Sequence, residues 1–145
     1  MNPCRCGYLA DPAKACSRAP QCGKNYVAKL SGPLLDRFDL IIDVAALPPL
    51  HLLDDMPAPA SATIAKTIAQ AALFARTRPQ TDKPEFADNV RPFLETMVQE
   101  MEITGRVYDK IVKVSRTIAD LEASPQIKKA HLQEAMAYRK IRLVL

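Results

Sequence analysis

The sequence predicts a mainly α chain: a bundle of helices after residue 60, preceded by a short cysteine-rich head. Three observations carry that expectation. Beyond residue 60, apolar residues recur three and four positions apart in four stretches, which is the period of an amphipathic helix. All four cysteines fall within residues 1–23, where no such period exists. Between these regions lie Pro48, Pro49, Pro57 and Pro59, and proline fixes φ and has no N–H to donate. A linker of that length often marks a domain boundary. The expected division is therefore residues 1–45, a proline-rich linker over 46–60, and a helical domain over 61–145.

Each element follows from its own residues. Residues 24–30 can form a short helix, stopped by Ser31-Gly32-Pro33, and Leu34, Leu35 and Phe38 give one further turn. Residues 40–44, aliphatic and β-branched with Asp39 and Asp43 spaced through them, read as a short strand. Ser61 can cap a helix carrying Ile64, Ile68, Ala71, Ala72 and Ala75, which ends before Pro79. Residues 85–101 place Phe86, Val90, Phe93, Leu94, Met97 and Met101 on one side, with Pro92 expected to kink or split the run. A third helix begins near Thr104 with Val107, Ile111, Val114, Ile118 and Leu121 as its stripe. The last covers residues 128–142 and turns Leu132, Ala135, Met136 and Tyr138 inward. Four such helices with short connections make a bundle.

The 145 residues are 48% hydrophobic and 25% charged, enough apolar material for a core, which argues against wholesale disorder. The longest apolar run, residues 40–53, is broken by Asp43 and two prolines and falls short of a membrane helix of roughly 18 residues. The N-terminus lacks the apolar region of a secretory signal, so the cytoplasm is the expected location. The net charge of +4 is segregated: residues 1–30 carry five basic side chains and one acidic, and residues 31–60 carry Arg37 against five acidic. A basic head is weak support for a phosphate-bearing partner. The four glycines, at 7, 23, 32 and 105, are never closer than nine residues. Neither G-x-x-x-x-G-K-[ST] nor G-x-G-x-x-G can be written anywhere in this sequence.

Cys4, Cys6, Cys16 and Cys22 are the densest chemical feature. Gly7 permits a tight turn after Cys6 that lets two thiolates face one ion. Four thiolates around a tetrahedral zinc at about 2.3 Å are a common structural arrangement. The spacing leaves two alternatives open: four reduced thiols that merely pack, and disulfides, which a reducing cytoplasm disfavours. A catalytic cysteine has only His51 and His131 to pair with, and neither stands in a dyad pattern.

Four stretches together resemble the motifs of one family. Met1-Asn2-Pro3-Cys4-Arg5-Cys6-Gly7-Tyr8 is similar to its M-N-P-C-P-C-G-Y, with Arg5 in place of a proline. Leu30-Ser31-Gly32-Pro33-Leu34-Leu35-Asp36-Arg37-Phe38-Asp39-Leu40 resembles L-S-G-P-L-L-D-R-x-D-L. The run from Val114 to Leu121 resembles V-A-R-T-I-A-D-L, and the run from His131 to Arg139 resembles H-L-x-E-A-x-x-Y-R. Order and spacing agree over almost the whole chain, which therefore resembles the magnesium-chelatase-like AAA+ ATPases of the competence type.

The resemblance implies the C-terminal part of a longer polypeptide, in which a Lon-like domain and the Walker A and B half of an ATPase core come first. In that case residues 1–45 are the remnant of a truncated α/β AAA+ core and residues 61–145 its helical lid. It also implies roles: Asn2 as the sensor-1 amide, Arg37 as the arginine finger that reaches a neighbour's nucleotide, and Arg106 as the sensor-2 arginine at the start of a lid helix. The cofactors implied are ATP and Mg²⁺ in the full-length protein, with structural zinc at the cysteines. The partners implied are the N-terminal ATPase core or neighbouring subunits of a hexamer, and DNA, whose branch migration the family drives in natural transformation. Without a phosphate loop the chain alone is expected not to hydrolyse ATP. From residue type alone, Asn2 could simply cap a turn, Arg37 could pair with Asp36 or Asp39, and Arg106 could be solvated. Two other function classes stand beside the motor: a helical interaction module whose cysteine-rich head touches DNA through Arg5, Lys14, Arg18 and Lys24, and a chelatase subunit for tetrapyrroles.

Overall fold

The computed structural model describes residues 4–9, 11, 13–42, 44, 58–79, 83–100 and 103–139. Among them the chain is mainly helical: α1 (Gln21–Val27), α2 (Gly32–Leu35), α3 (Ser61–Thr77), α4 (Arg91–Glu100), α5 (Gly105–Leu121) and α6 (Lys129–Ala137). The chain divides into two compact units, Met1–Ile41 with Arg139–Leu145, and Ile42–Tyr138.

In the first unit α1 begins three residues earlier than its apolar pattern suggests and ends at Val27. The Ser31-Gly32-Pro33 run starts a helix as well as separating it from α1. The Ser31 side chain accepts the Leu34 N–H at 3.3 Å, and Pro33 sits in the first turn of α2, where its missing N–H costs nothing. The strand expected over residues 40–44 is not formed among the described residues there. A strand without a neighbour leaves its backbone groups unpaired, so this correction is physical: apolar β-branched composition supplies no ladder. Asp43 and most of the proline-rich linker lie outside the described residues.

The second unit has a hydrophobic core of Val90, Met97, Ile111, Val112, Ile118, Ile127, Leu132 and Ala135. Helix α5 is its spine. Thr104 caps it by accepting the Val107 N–H at 3.4 Å, and Ile111 and Ile118 face inward as expected. Leu121 does not; it is 48% exposed, because the helix ends there and the chain reverses. Pro92 splits the second helical run. Residues before it pair instead with the α5–α6 connection: the Ala87 N–H donates to the Ile127 carbonyl at 3.1 Å, and the Ile127 N–H donates to the Glu85 carbonyl at 2.8 Å. Helix α4 starts at Arg91, with Pro92 in its first turn. Helix α6 ends at Ala137, short of the expected 142, and residues beyond 139 lie outside the described set.

Helix α3 falls where its period puts it, with its cap corrected by one residue. Ala60 takes the cap position, making Ser61 the first helical residue, and no residue of α3 is buried. Ile64, Ile68 and Leu73 are about half exposed or more. Its C-terminal end is tied to α5 by charge: Arg78 Nε lies 3.1 Å from Asp120 Oδ1, and Arg116 Nη2 lies 2.9 Å from the same oxygen.

The turn after α5 is built without glycine. The Ala123 N–H donates to the Asp120 carbonyl and the Ser124 N–H to the Ala119 carbonyl, the double closure of a Schellman motif. Ala123 therefore stands at φ 51°, in the left-handed region. Arg116 Nη1 also donates to the Pro125 carbonyl at 2.8 Å, which fixes the loop from below. The V-x-R-T-I-A-D-L run thus acts locally: its arginine and aspartate hold one loop and two helices together. At the start of α6, His131 Nδ1 accepts the Lys128 N–H at 3.0 Å. That acceptor role leaves the proton on Nε2, which donates to Glu122 Oε2 at 2.9 Å.

Candidate metal centre and arginine sites

The cysteine cluster forms from a turn and a helix. The Gly7 N–H donates to the Cys4 carbonyl at 3.2 Å, and Gly7 itself has φ 81°, so the chain folds back immediately after Cys6. The Cys4 and Cys6 sulfurs are 3.1 Å apart, and Cys4 is buried. Cys22 comes from the first turn of α1. The next residue explains why it can reach: Gly23 is covered by Leu9, whose Cδ2 would stand 2.5 Å from any Cβ placed there. This close approach brings the helix down on the 4–9 turn, and the glycine after Cys22 was the one sequence signal of it. The sulfurs of Cys4, Cys6 and Cys22 all lie within 4.8 Å of one another. Cys16, the fourth cysteine that the sequence singles out, is half-buried and does not belong to that trio.

The electrostatics of the cluster are uneven. The hydrogen bond from Cys4, helped by backbone donors, holds the Cys6 thiol down at about 6. Cys22 is pushed up to about 12, first by its hydrogen bond with Cys16 and then by burial and neighbouring negative charge. All four are free thiols. Three sulfurs this close are a donor set for a soft divalent ion, because a cation stabilises adjacent thiolates together. Tetrahedral zinc with bonds of about 2.3 Å sets sulfurs roughly 3.8 Å apart. That value lies between the closest sulfur pair and the outer limit of the trio, so the residues fit zinc with small shifts.

Arg37 stands at the exposed turn that follows α2. Its own N–H donates to the Leu34 carbonyl at 3.0 Å, closing the capped turn that begins at Ser31. The next residue is held from afar: Arg139 Nη1 donates to the Phe38 carbonyl at 2.9 Å, so the chain around Arg37 is braced by a residue from the last motif. Nothing in local spacing signals that brace. Arg106 is exposed in the first turn of α5, a turn that carries no acidic residue. A cation there opposes the helix dipole, and an anion sharing the site would reverse the sign. Arg37 belongs to the first unit and Arg106 to the second. Asn2 lies outside the described residues, as does His51. His131 is accounted for by the α6 turn.

The description "magnesium chelatase, subunit ChlI C-terminal" fits residues 58–139, and the companion description of the same subunit fits residues 1–52. An uncharacterized protein YifB of Escherichia coli (strain K12) is 33% identical, over 97% of this chain and 30% of its own length. The YifB of Salmonella typhimurium is equally similar. Competence protein ComM of Haemophilus influenzae is 32% identical over 96% of this chain and 29% of its own. The chain thus spans about 30% of the length of the curated relatives it matches. No helix among the described residues is long and apolar enough to cross a membrane.

Proposed function

The chain belongs to the magnesium chelatase ChlI family, and from that premise we propose that it is the C-terminal part of a magnesium-chelatase-like AAA+ ATPase. It completes a nucleotide site whose phosphate loop lies in another part of the protein or in a neighbouring subunit. The observation that carries this reading is Arg37, an exposed guanidinium on a capped helical turn, within the L-S-G-P-L-L-D-R run. A guanidinium is always charged, and it stabilises the negative charge that spreads over the transferring phosphoryl group. Arg106 serves as a second phosphate contact, of the sensor-2 kind, and Asn2 as the sensor-1 amide that orients the attacking water. In this reading residues 1–45 end the ATPase core, 46–60 link, and 61–145 form the lid.

The four cysteines hold a structural zinc. Cys4, Cys6 and Cys22 form one face of its shell and Cys16 supplies the fourth sulfur. The metal cross-links the 4–9 turn to α1 and supplies no chemistry to the nucleotide. ATP and Mg²⁺ are bound by the complete protein, which works in the cytoplasm as a hexamer on DNA, driving branch migration in natural transformation. The name of the Haemophilus influenzae relative, a competence protein, supports that process.

The test is a chimera of YifB in which this chain replaces the matched segment. The chain alone should show no ATP turnover and the chimera should hydrolyse ATP. Arg37→Ala in the chimera should lower kcat by about 10³-fold or more, with Arg37→Lys failing to restore it. Hydrolysis by the isolated chain, or an undiminished Arg37→Ala chimera, would contradict the reading.

A further inference from the structure

A second feature of the first unit lies beside the cysteine cluster. It is an open groove of about 580 Å³ whose lining includes Arg5, Arg18, Gln21, Asn25, Tyr26 and Lys29. No acidic side chain lines it. Among the described residues, none of Arg5, Arg18 and Lys29 pairs with a carboxylate, and all three are exposed. Asp11, the one acidic residue in positions 1–30, is occupied elsewhere by Lys14 at 3.5 Å. Gln21 Nε2 donates to Asn25 Oδ1 at 3.0 Å, so the helix wall of the groove is ordered without using a cation.

The cysteines decide where these cations stand. Arg5 lies between Cys4 and Cys6, and Arg18 lies between Cys16 and Cys22, with Cys22 itself part of the groove wall. Closing the thiol cluster therefore fixes the spacing of two guanidiniums on separate loops. Arg5 occupies the position where the family run carries proline, which makes this groove a feature of this chain's own residues.

We propose that the groove binds the sugar–phosphate backbone of single-stranded nucleic acid, with Arg5, Arg18 and Lys29 on phosphates and Tyr26 against a base. Three cations in a concavity match a polyanion with a charge at each residue. An aromatic among them matches the stacking platforms of single-strand sites. A duplex is read by an element that protrudes into its groove, whereas a concave site of small-ligand size admits only a flexible strand. Of the four basic residues singled out by sequence, Arg5 and Arg18 line the groove and Lys14 and Lys24 do not, while Lys29 replaces them. This inference does not depend on the nucleotide reading.

The test is fluorescence anisotropy of the full chain with a labelled oligothymidylate at low salt, against a duplex of equal length and poly-glutamate as competitor. The oligothymidylate should bind more tightly than the duplex. Arg5→Ala, Arg18→Ala and Lys29→Ala combined should weaken binding and lower the log–log salt slope by about 2, at roughly 0.7 per phosphate contact. Tyr26→Ala should weaken it about 5- to 100-fold with the salt slope unchanged. Lys14→Ala should leave binding as it was. Zinc content and circular dichroism are measured for every variant, so loss of the unit's fold is told apart from loss of the site. Unchanged binding by the folded triple variant, preference for duplex, or equal displacement by poly-glutamate at matched charge would overturn the proposal. Binding by a chain free of zinc would retain the groove and discard the metal.

Discussion

Among the described residues the first unit buries only Cys4 and Gly23, whereas the second closes eight buried apolar side chains into one core. The first is little more than forty residues at its N-terminal part, a size at which hydrophobic burial alone rarely holds a fold. Its sulfurs stand where a core would otherwise be. The second follows the ordinary rule for helical domains: an amphipathic α5 flanked by α4 and α6, with a salt bridge to the end of α3. The difference explains why one unit reads as ligand spacing and the other as period.

If the cysteines hold zinc as proposed, the comparison is broken most severely by removing it. A strong chelator should then unfold the first unit and leave the helices of the second intact, because the binding free energy of such a site is folding free energy. Limited proteolysis checks it: cleavage should appear first within residues 1–41, and early cuts inside α5 would contradict the contrast. A smaller effect is expected at the ion pairs of the second unit. Asp120→Ala removes the buried carboxylate that two largely buried arginines share and should cost about 3 kcal/mol in chemical denaturation.

Two lesser changes sharpen the picture of the second unit. Ala123→Gly relieves a left-handed residue that closes the α5 turn, and should stabilise by about 1 kcal/mol or somewhat less. Glu122 is held below its ordinary 4.5 by the hydrogen bond from His131. A carboxyl depressed on folding contributes stability that is complete above its unfolded value and is lost as pH falls through its folded value. Glu122→Gln should therefore flatten the acid limb of a pH–stability curve below about 4.5 and leave neutral pH nearly unchanged.

What was legible in the sequence was local. Thr104 and the 107–118 stripe specify α5, Leu34 and Leu35 mark α2, and Cys4, Cys6 and Cys22 with Gly7 mark the cluster. What was not legible depends on partners distant in the chain. The pairing of Phe86 with Ile127 replaces the first third of an expected helix, since a helical period also suits a segment whose backbone finds a neighbour. The α3 stripe is legible as a helical period, yet period names a face and not what covers it. Ala123 hides a Schellman turn because no glycine announces it, and His131 does the work that Glu or Gln usually does at the third helical position. Arg139 bracing Phe38 beside Arg37 joins motifs separated by 101 residues.

The most direct test is whether Arg37 acts across a subunit boundary. Two YifB chimeras carrying this chain are prepared, one with Arg37→Ala and one with the phosphate-loop lysine removed, each inactive alone. Mixed under assembly conditions, they should recover ATP hydrolysis, because a subunit with an intact phosphate loop meets a neighbour with an intact Arg37. Mixtures that assemble together yet stay as inactive as either parent would contradict the account.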